Sequence, residues 1–272
     1  MKRPNSVRNL DMAIRRFGAS EEDYLENRTA IANAIVGQML RGAVMKGGSS
    51  LKIRFGAAGT RATTDLDAAR SVGRDEFSDG FSRRLVDGWE GFTGRLVEMP
   101  KARPKNVPGP YVMQPYAVKL SYLGKPWCTV TFELGHNEIG DADNADFVVP
   151  KDAARMLEAM AFPEPAPVPL MTLRYQIAQK LHGASEPNSQ RAHDLIDLQL
   201  IISNGEIDLH DVREVCERLF SYRRKQEWPP VIMKDDAWDS LYSEAAADLD
   251  VLPGADEAVA WANDLIRRIA TA

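Results

Sequence analysis

Between Val44 and Ala68 the chain runs VMKGGSSLKIRFGAAGTRATTDLDA, an order that few folds accommodate. An apolar lead-in reaches two glycines and two serines, a short amphipathic run follows, and the stretch closes on an Asp-x-Asp doublet. The pattern predicts strand, turn, helix, strand. Thr63 to Ala68 alternate as a strand does, so Asp65 and Asp67 fall on one side with Cα atoms roughly 6.5–7 Å apart, and Leu66 points the other way.

Two carboxylates so placed can share hard cations. Mg²⁺ takes one or two carboxylates completed by water and phosphate oxygens, and a metal pair about 3.5–4 Å apart can clamp both sides of an in-line displacement at phosphorus. The doublet therefore suits phosphoryl or nucleotidyl transfer with Mg²⁺ or Mn²⁺. Upstream, Gly47 and Gly48 let the backbone approach a triphosphate, while Ser49, Ser50 and the first amides of the following helix supply donors at its positive end. Lys46 and Arg61 are the nearest cations. Either motif alone is common on solvated strands and turns; their succession is what points to a site.

The run Lys46-Gly47-Gly48-Ser49, followed by Arg61-Ala62-Thr63-Thr64-Asp65-Leu66-Asp67, resembles the lysine, glycine-pair and Arg-x-Ser-x-Asp-x-Asp signature of the AbiEii/AbiGii-type nucleotidyltransferase toxins, within the DNA polymerase β-like superfamily. Far downstream, Ala178-Gln179-Lys180-Leu181 and Arg191-Ala192-His193-Asp194-Leu195-Ile196-Asp197-Leu198 look like that family's two C-terminal motifs. Thr63 stands where the family has serine and keeps the hydroxyl; the interval from Ser49 to Asp65 is longer than in the minimal pattern.

The resemblance implies an α/β (α+β) fold: a polymerase β-like core with a small mixed sheet, and a C-terminal helical domain that closes over the cleft. It implies transfer of a nucleoside monophosphate from an NTP to an acceptor, with release of pyrophosphate. Asp65 and Asp67 are then the metal ligands; Lys46, Gly47, Gly48, Ser49, Arg61 and Thr63 bind the nucleotide. Enzymes of this type carry a third carboxylate on a strand beside the doublet, and Glu133 is the acidic residue best placed for it, in a metal or base role. By the same resemblance the acceptor is expected to be the 3′ end of tRNA, and the protein the toxin of a toxin–antitoxin or phage-defence pair with a cognate antitoxin. Two rivals stay open: a small-molecule nucleotidyltransferase of the antibiotic-modifying type, and a catalytically silent binding module.

The Pro-rich segment 163–169 reads as a stiff linker between a catalytic domain, 1–162, and a helical domain, 170–272. Before it, helices are expected over 6–17, capped by Ser6; over 20–40, opened by Ser20-x-x-Asp23, with Leu25, Ile31, Ile35 and Met39 apolar; and over 75–88. A hairpin turns at Gly124-Lys125 between segments 111–123 and 125–134. Beyond the linker, helical periodicity covers 170–184, 191–203, 209–224, 235–249 and 256–270. Folded as a hairpin through Glu186-Pro187-Asn188, the first two of these bring Lys180 level with Asp194, and Asp197 lies one turn further on the same face. Leu195, Ile196, Leu198, Leu200 and Ile201 surround the aspartates, which predicts burial, and buried charges persist when paired or serving a site. Lys180 offsets phosphate charge on one reading, with Asp194 or Asp197 orienting it or the acceptor hydroxyl; on the other it ties two helices together.

A net charge of −5 confines any polyanion to a local basic patch, for which Arg83-Arg84, Lys101/Arg103/Lys105, Arg223-Arg224-Lys225 and Arg267-Arg268 are the candidates. No apolar run approaches a membrane span and the N-terminus lacks a signal-peptide core, so the expected location is cytoplasmic. Cys128 and Cys216 fit buried small hydrophobes, and His136, His182, His193 and His210 lack ligand spacing, with His182 and His193 expected in supporting or surface positions.

Overall fold

The structure, a computed structural model, describes residues 2–101 and 112–272. Arg103 and Lys105 of the expected basic segment lie outside the described residues, as does Tyr111 at the expected hairpin start. Two compact units divide the chain: residues 1–57 with 63–171, and residues 58–62 with 172–272.

In the first unit α1 (Val7–Ile14) is capped by the Ser6 hydroxyl, and α2 (Glu21–Met39) opens on a reciprocal box in which Ser20 and Asp23 each satisfy the other's amide. Next come β1 (Ala43–Lys46), α3 (Gly47–Phe55), β2 (Leu66–Arg70), α4 (Arg74–Asp87), β3 (Phe92–Glu98), β4 (Gln114–Tyr122), β5 (Lys125–His136), β6 (Ala145–Val148), α5 (Lys151–Ala159) and β7 (Val168–Met171). The strands form a mixed sheet in the order β3-β4-β5-β2-β1-β7-β6. β2 runs parallel to β5 and antiparallel to β1, while β4 and β5 form the expected hairpin.

Helices α1, α2, α4 and α5 pack on one face of this sheet. Alternation supplies that face with Val118, Leu120, Val130, Phe132, Leu134 and Leu66, all buried, and Phe132 stacks on Phe77 of α4 at 6.2 Å between ring centroids. The opposite face carries Lys46, Asp67, Glu133, Thr131, Lys119 and Arg95. Leu25, expected on the apolar side of α2, is half exposed; the neighbouring Tyr24 is buried in its place.

The Pro-rich stretch ends inside the sheet. Val168 to Met171 are β7, which pairs with β1 and β6, so Pro169 sits in a short strand. Regular structure of the second unit begins with α6 (Leu173–Ala184), followed by α7 (His193–Asn204), α8 (Leu209–Arg223), α9 (Trp238–Ala245) and α10 (Ala255–Thr271). Leu181, Leu195, Ile201, Cys216, Trp238 and Ile266 are among its buried side chains. Gln199 joins its helices to the chain before α10: its amide donates to the Tyr242 hydroxyl at 3.0 Å and its carbonyl accepts from the Leu252 amide at 2.8 Å. Among the described residues no helix is long and apolar enough to cross a membrane.

Candidate active site

β1 delivers Lys46 directly into the first turn of α3, so the two glycines open a helix where a free-standing turn was expected. Gly47 has φ +66°, and a Cβ there would lie 2.5 Å from Asp67 Oδ2. Only glycine lets the start of α3 approach the Asp67 carboxylate this closely. The Lys46 N-cap makes no side-chain capping bond and the first turn holds no acidic residue, so the positive end of α3 lacks an anionic side chain of its own.

β2 begins at Leu66, three residues later than the expected strand. Asp65 lies just before it and is exposed, Asp67 is half-buried within it, and Leu66 between them is fully buried. The Ser49 hydroxyl donates to the Asp65 backbone carbonyl, and Ser49 is only 2% exposed. Ser49 therefore fixes the entry to β2; its hydroxyl is not presented as an open phosphate donor. Ser50 donates to the Gly47 carbonyl at 2.9 Å. Thr63 is half-buried in the irregular segment before Asp65.

Glu133 stands where the third carboxylate was expected. It is paired in register with Asp67 across the parallel β2–β5 ladder, and Asp67 is paired in turn with Lys46 on β1. Residues directly opposite in a ladder share a face, so these three form one row. A Cβ at Gly135 would lie 3.4 Å from Lys46 Nζ, so the ammonium reaches over β5. Burial first, and then the negative charges of Asp67 and Asp65, hold the Glu133 carboxyl above its ordinary pKa, partly offset by Lys46.

Crowded carboxylates of this kind repel until a cation joins them, and their hard oxygens suit Mg²⁺ or Mn²⁺. The donor set therefore fits a divalent ion. Among the described residues no three His, Cys, Asp or Glu side chains are grouped so as to hold one ion.

In the second unit a buried charge network occupies the α6–α7 hairpin. Lys180, 5% exposed, donates to Asp194 Oδ1 at 3.2 Å and Asp197 Oδ2 at 2.5 Å. Arg61, in the 58–62 segment that belongs to this unit, makes a bidentate pair with Asp197 at 3.0 Å to each oxygen, and Arg191 Nε donates to Asp194 Oδ2 at 2.5 Å. Burial alone would raise the Asp194 pKa, but the charges of Lys180 and Arg191 outweigh it and hold the carboxyl below the ordinary range. The predicted juxtaposition of Lys180 with both aspartates is present. Two arginines join it: Arg191 carried a local signal, three residues before Asp194 on the helical spacing, whereas nothing local links Arg61 to Asp197.

His182, expected in a supporting or surface position, is a core residue, 2% exposed, its ring 4.9 Å from that of Phe220 and its Nε2 without a hydrogen-bond partner. Burial and the charges of Arg223, Lys225 and Arg191 push its pKa down to about 3. His193 is partly exposed beside Asp194.

A mixed sheet that pairs Asp67 with Glu133 in register beside a glycine-opened helix has the form expected of a nucleotidyltransferase. The model of the family described as "Nucleotidyl transferase AbiEii toxin, Type IV TA system" matches residues 33–264, and the chain belongs to that family. Among solved structures, MenT4, a nucleotidyltransferase toxin from Mycobacterium tuberculosis H37Rv, is similar over 98% of this chain and 99% of its own, with TM-score 0.54 and 17% identity; it supports the fold. JHP933 from Helicobacter pylori aligns over 93% of this chain and 94% of its own, with TM-score 0.47 and 13% identity. No curated protein matches the sequence.

Proposed function

We propose that this nucleotidyltransferase transfers a nucleoside monophosphate from an NTP to a hydroxyl of a nucleic-acid acceptor, the 3′ end of tRNA, as the toxin of a pair whose antitoxin restrains it. The observation that carries the reading is the row Lys46–Asp67–Glu133 beside the first turn of α3, with Asp65 tethered next to it by Ser49. Asp65 and Asp67 would hold Mg²⁺ or Mn²⁺, which when bound supplies charge stabilisation at the transferring phosphoryl group.

The protein's own residues do the rest. The α3 amides and Lys46 receive the triphosphate, with its negative charge at the positive helix end. The acceptor oxygen bonds to the α-phosphorus as the α–β bridge bond breaks and pyrophosphate leaves. The acceptor's proton passes to Glu133, which lies in register beside Asp67 on the neighbouring strand. Lys180, Asp194 and Asp197 act as positioning residues within the second unit, where they fix the guanidinium of Arg61.

Incubation with each radiolabelled NTP, a divalent cation and total tRNA tests the reading. Wild type is expected to label tRNA, and Asp65→Asn, which removes charge without changing volume, to fall by at least about a thousandfold, several kcal/mol of transition-state stabilisation. Labelling retained in Asp65→Asn overturns the metal assignment; labelling of small alcohols or aminoglycosides in place of tRNA overturns the acceptor.

A further inference from the structure

On the open sheet face of the first unit the strand register sets out parallel rows. Lys46, Asp67 and Glu133 occupy one. Four residues back along β5, Thr129 pairs with Lys119 of β4, and Lys119 with Arg95 of β3. At ~3.3 Å per residue the two rows lie ~13 Å apart. Between them runs a row of short neutral side chains, Thr131, Ala117 and Val97.

Arg95 and Lys119 are both exposed, and neither makes an ion pair among the described residues. Two like charges directly opposite each other on neighbouring strands weaken a sheet. They stand together here in a chain of net charge −5, with 39 acidic residues available to pair with them. Hydroxyls surround them: Thr93, Ser121 and Thr129 line the same cavity of about 300 Å³. Leu120, Pro126, Trp127 and Cys128 complete the lining; among these groups the guanidinium, the ammonium and the hydroxyls match phosphate and sugar oxygens.

We infer that the Arg95–Lys119–Thr129 row is a binding site for the phosphate backbone of a single-stranded polynucleotide. It rests on the transfer reading above only in naming that strand as the acceptor, its 3′ end directed to Asp65 and Asp67 along the β5 axis. The neutral row between leaves the path clear of fixed charge, so the strand is gripped at the far row and stays mobile where its terminal hydroxyl must align.

The test uses the full chain and a short fluorescent single-stranded oligoribonucleotide, with anisotropy followed across a salt series. The Arg95→Gln/Lys119→Gln double variant is expected to bind about tenfold more weakly at 0.1 M salt, and to lose about 1.4 from the slope of log K against log salt, ~0.7 for each phosphate contact. Its unfolding midpoint should be unchanged or raised, since a like-charge pair is gone. Asp65→Asn should keep the wild-type slope. A folded double variant with unchanged affinity and slope overturns the inference, as does weakened binding with an unchanged slope. A wild type that binds the oligonucleotide through this row yet labels no acceptor leaves the row standing and removes the transfer reading.

Discussion

At the scale of single residues, Gly47 and His182 show how one atom's surroundings set a property. A methyl at Gly47 would meet the Asp67 carboxylate and would sit at φ +66°, where an L side chain costs roughly 1–2 kcal/mol. Gly47→Ala is therefore expected to lower stability by about that amount in urea titration while abolishing transfer, because the Asp67 carboxylate, proposed above as a metal ligand, must rotate away from the first turn of α3. Transfer that falls no further than the folded fraction would show that the close approach is packing alone. His182 tests burial through pH. Its folded pKa of about 3 lies below its ordinary 6.5, so between those values the unfolded chain binds the extra proton. Stability then rises with pH across that window, by up to about 1.4 kcal/mol per pH unit, and is flat with respect to this group above it. His182→Gln should flatten the profile between pH 6.5 and 3. The identity of both residues was legible in the sequence. Their surroundings were not, since Phe220 and Asp67 reach them from other elements of the chain.

At the scale of elements, the α6–α7 hairpin is the clearest case of a local pattern that determines a contact. Lys180, Asp194 and Asp197 meet because antiparallel helices joined through Glu186 to Asn188 keep a register that helical spacing can count. The pair is deeply buried, so removing one charge leaves the others uncompensated. Asp194→Asn is expected to cost about 3–5 kcal/mol at pH 7, read from urea unfolding. Asp194's folded pKa is depressed, so its contribution is present above the ordinary carboxylate value and disappears as pH falls through the folded one. Wild type and variant should converge in acid. A gap that persists unchanged near pH 3 would assign the loss to packing instead. β2 followed the opposite course: alternation predicted its facing, but its start moved to Leu66 because Asp65 has no ladder partner and is held through its carbonyl by Ser49.

At the scale of the whole molecule, the carboxylates of Asp65, Asp67 and Glu133 form a like-charged group that a divalent ion would relieve. Mn²⁺ or Mg²⁺ should raise the thermal midpoint of the full chain, by an amount that grows as RT ln(1 + [L]/Kd) and increases with pH as the raised Glu133 carboxyl gives up its proton. Asp67→Asn should remove most of the shift. An equal shift in that variant would place the ion elsewhere. By itself the sequence determined the helices other than α5, the β4–β5 hairpin, the facing of Asp67, and the Lys180–aspartate contact, because all of these follow from periodicities of two or 3.6 residues and short connections. Only the tertiary structure decided that Glu133 pairs in register with Asp67, that β7 leaves the Pro-rich segment to join the sheet, and that Arg61 pairs with Asp197. Parallel pairing and long-range ion pairs join segments that share no local pattern, so their partners are set by the packing of the whole chain.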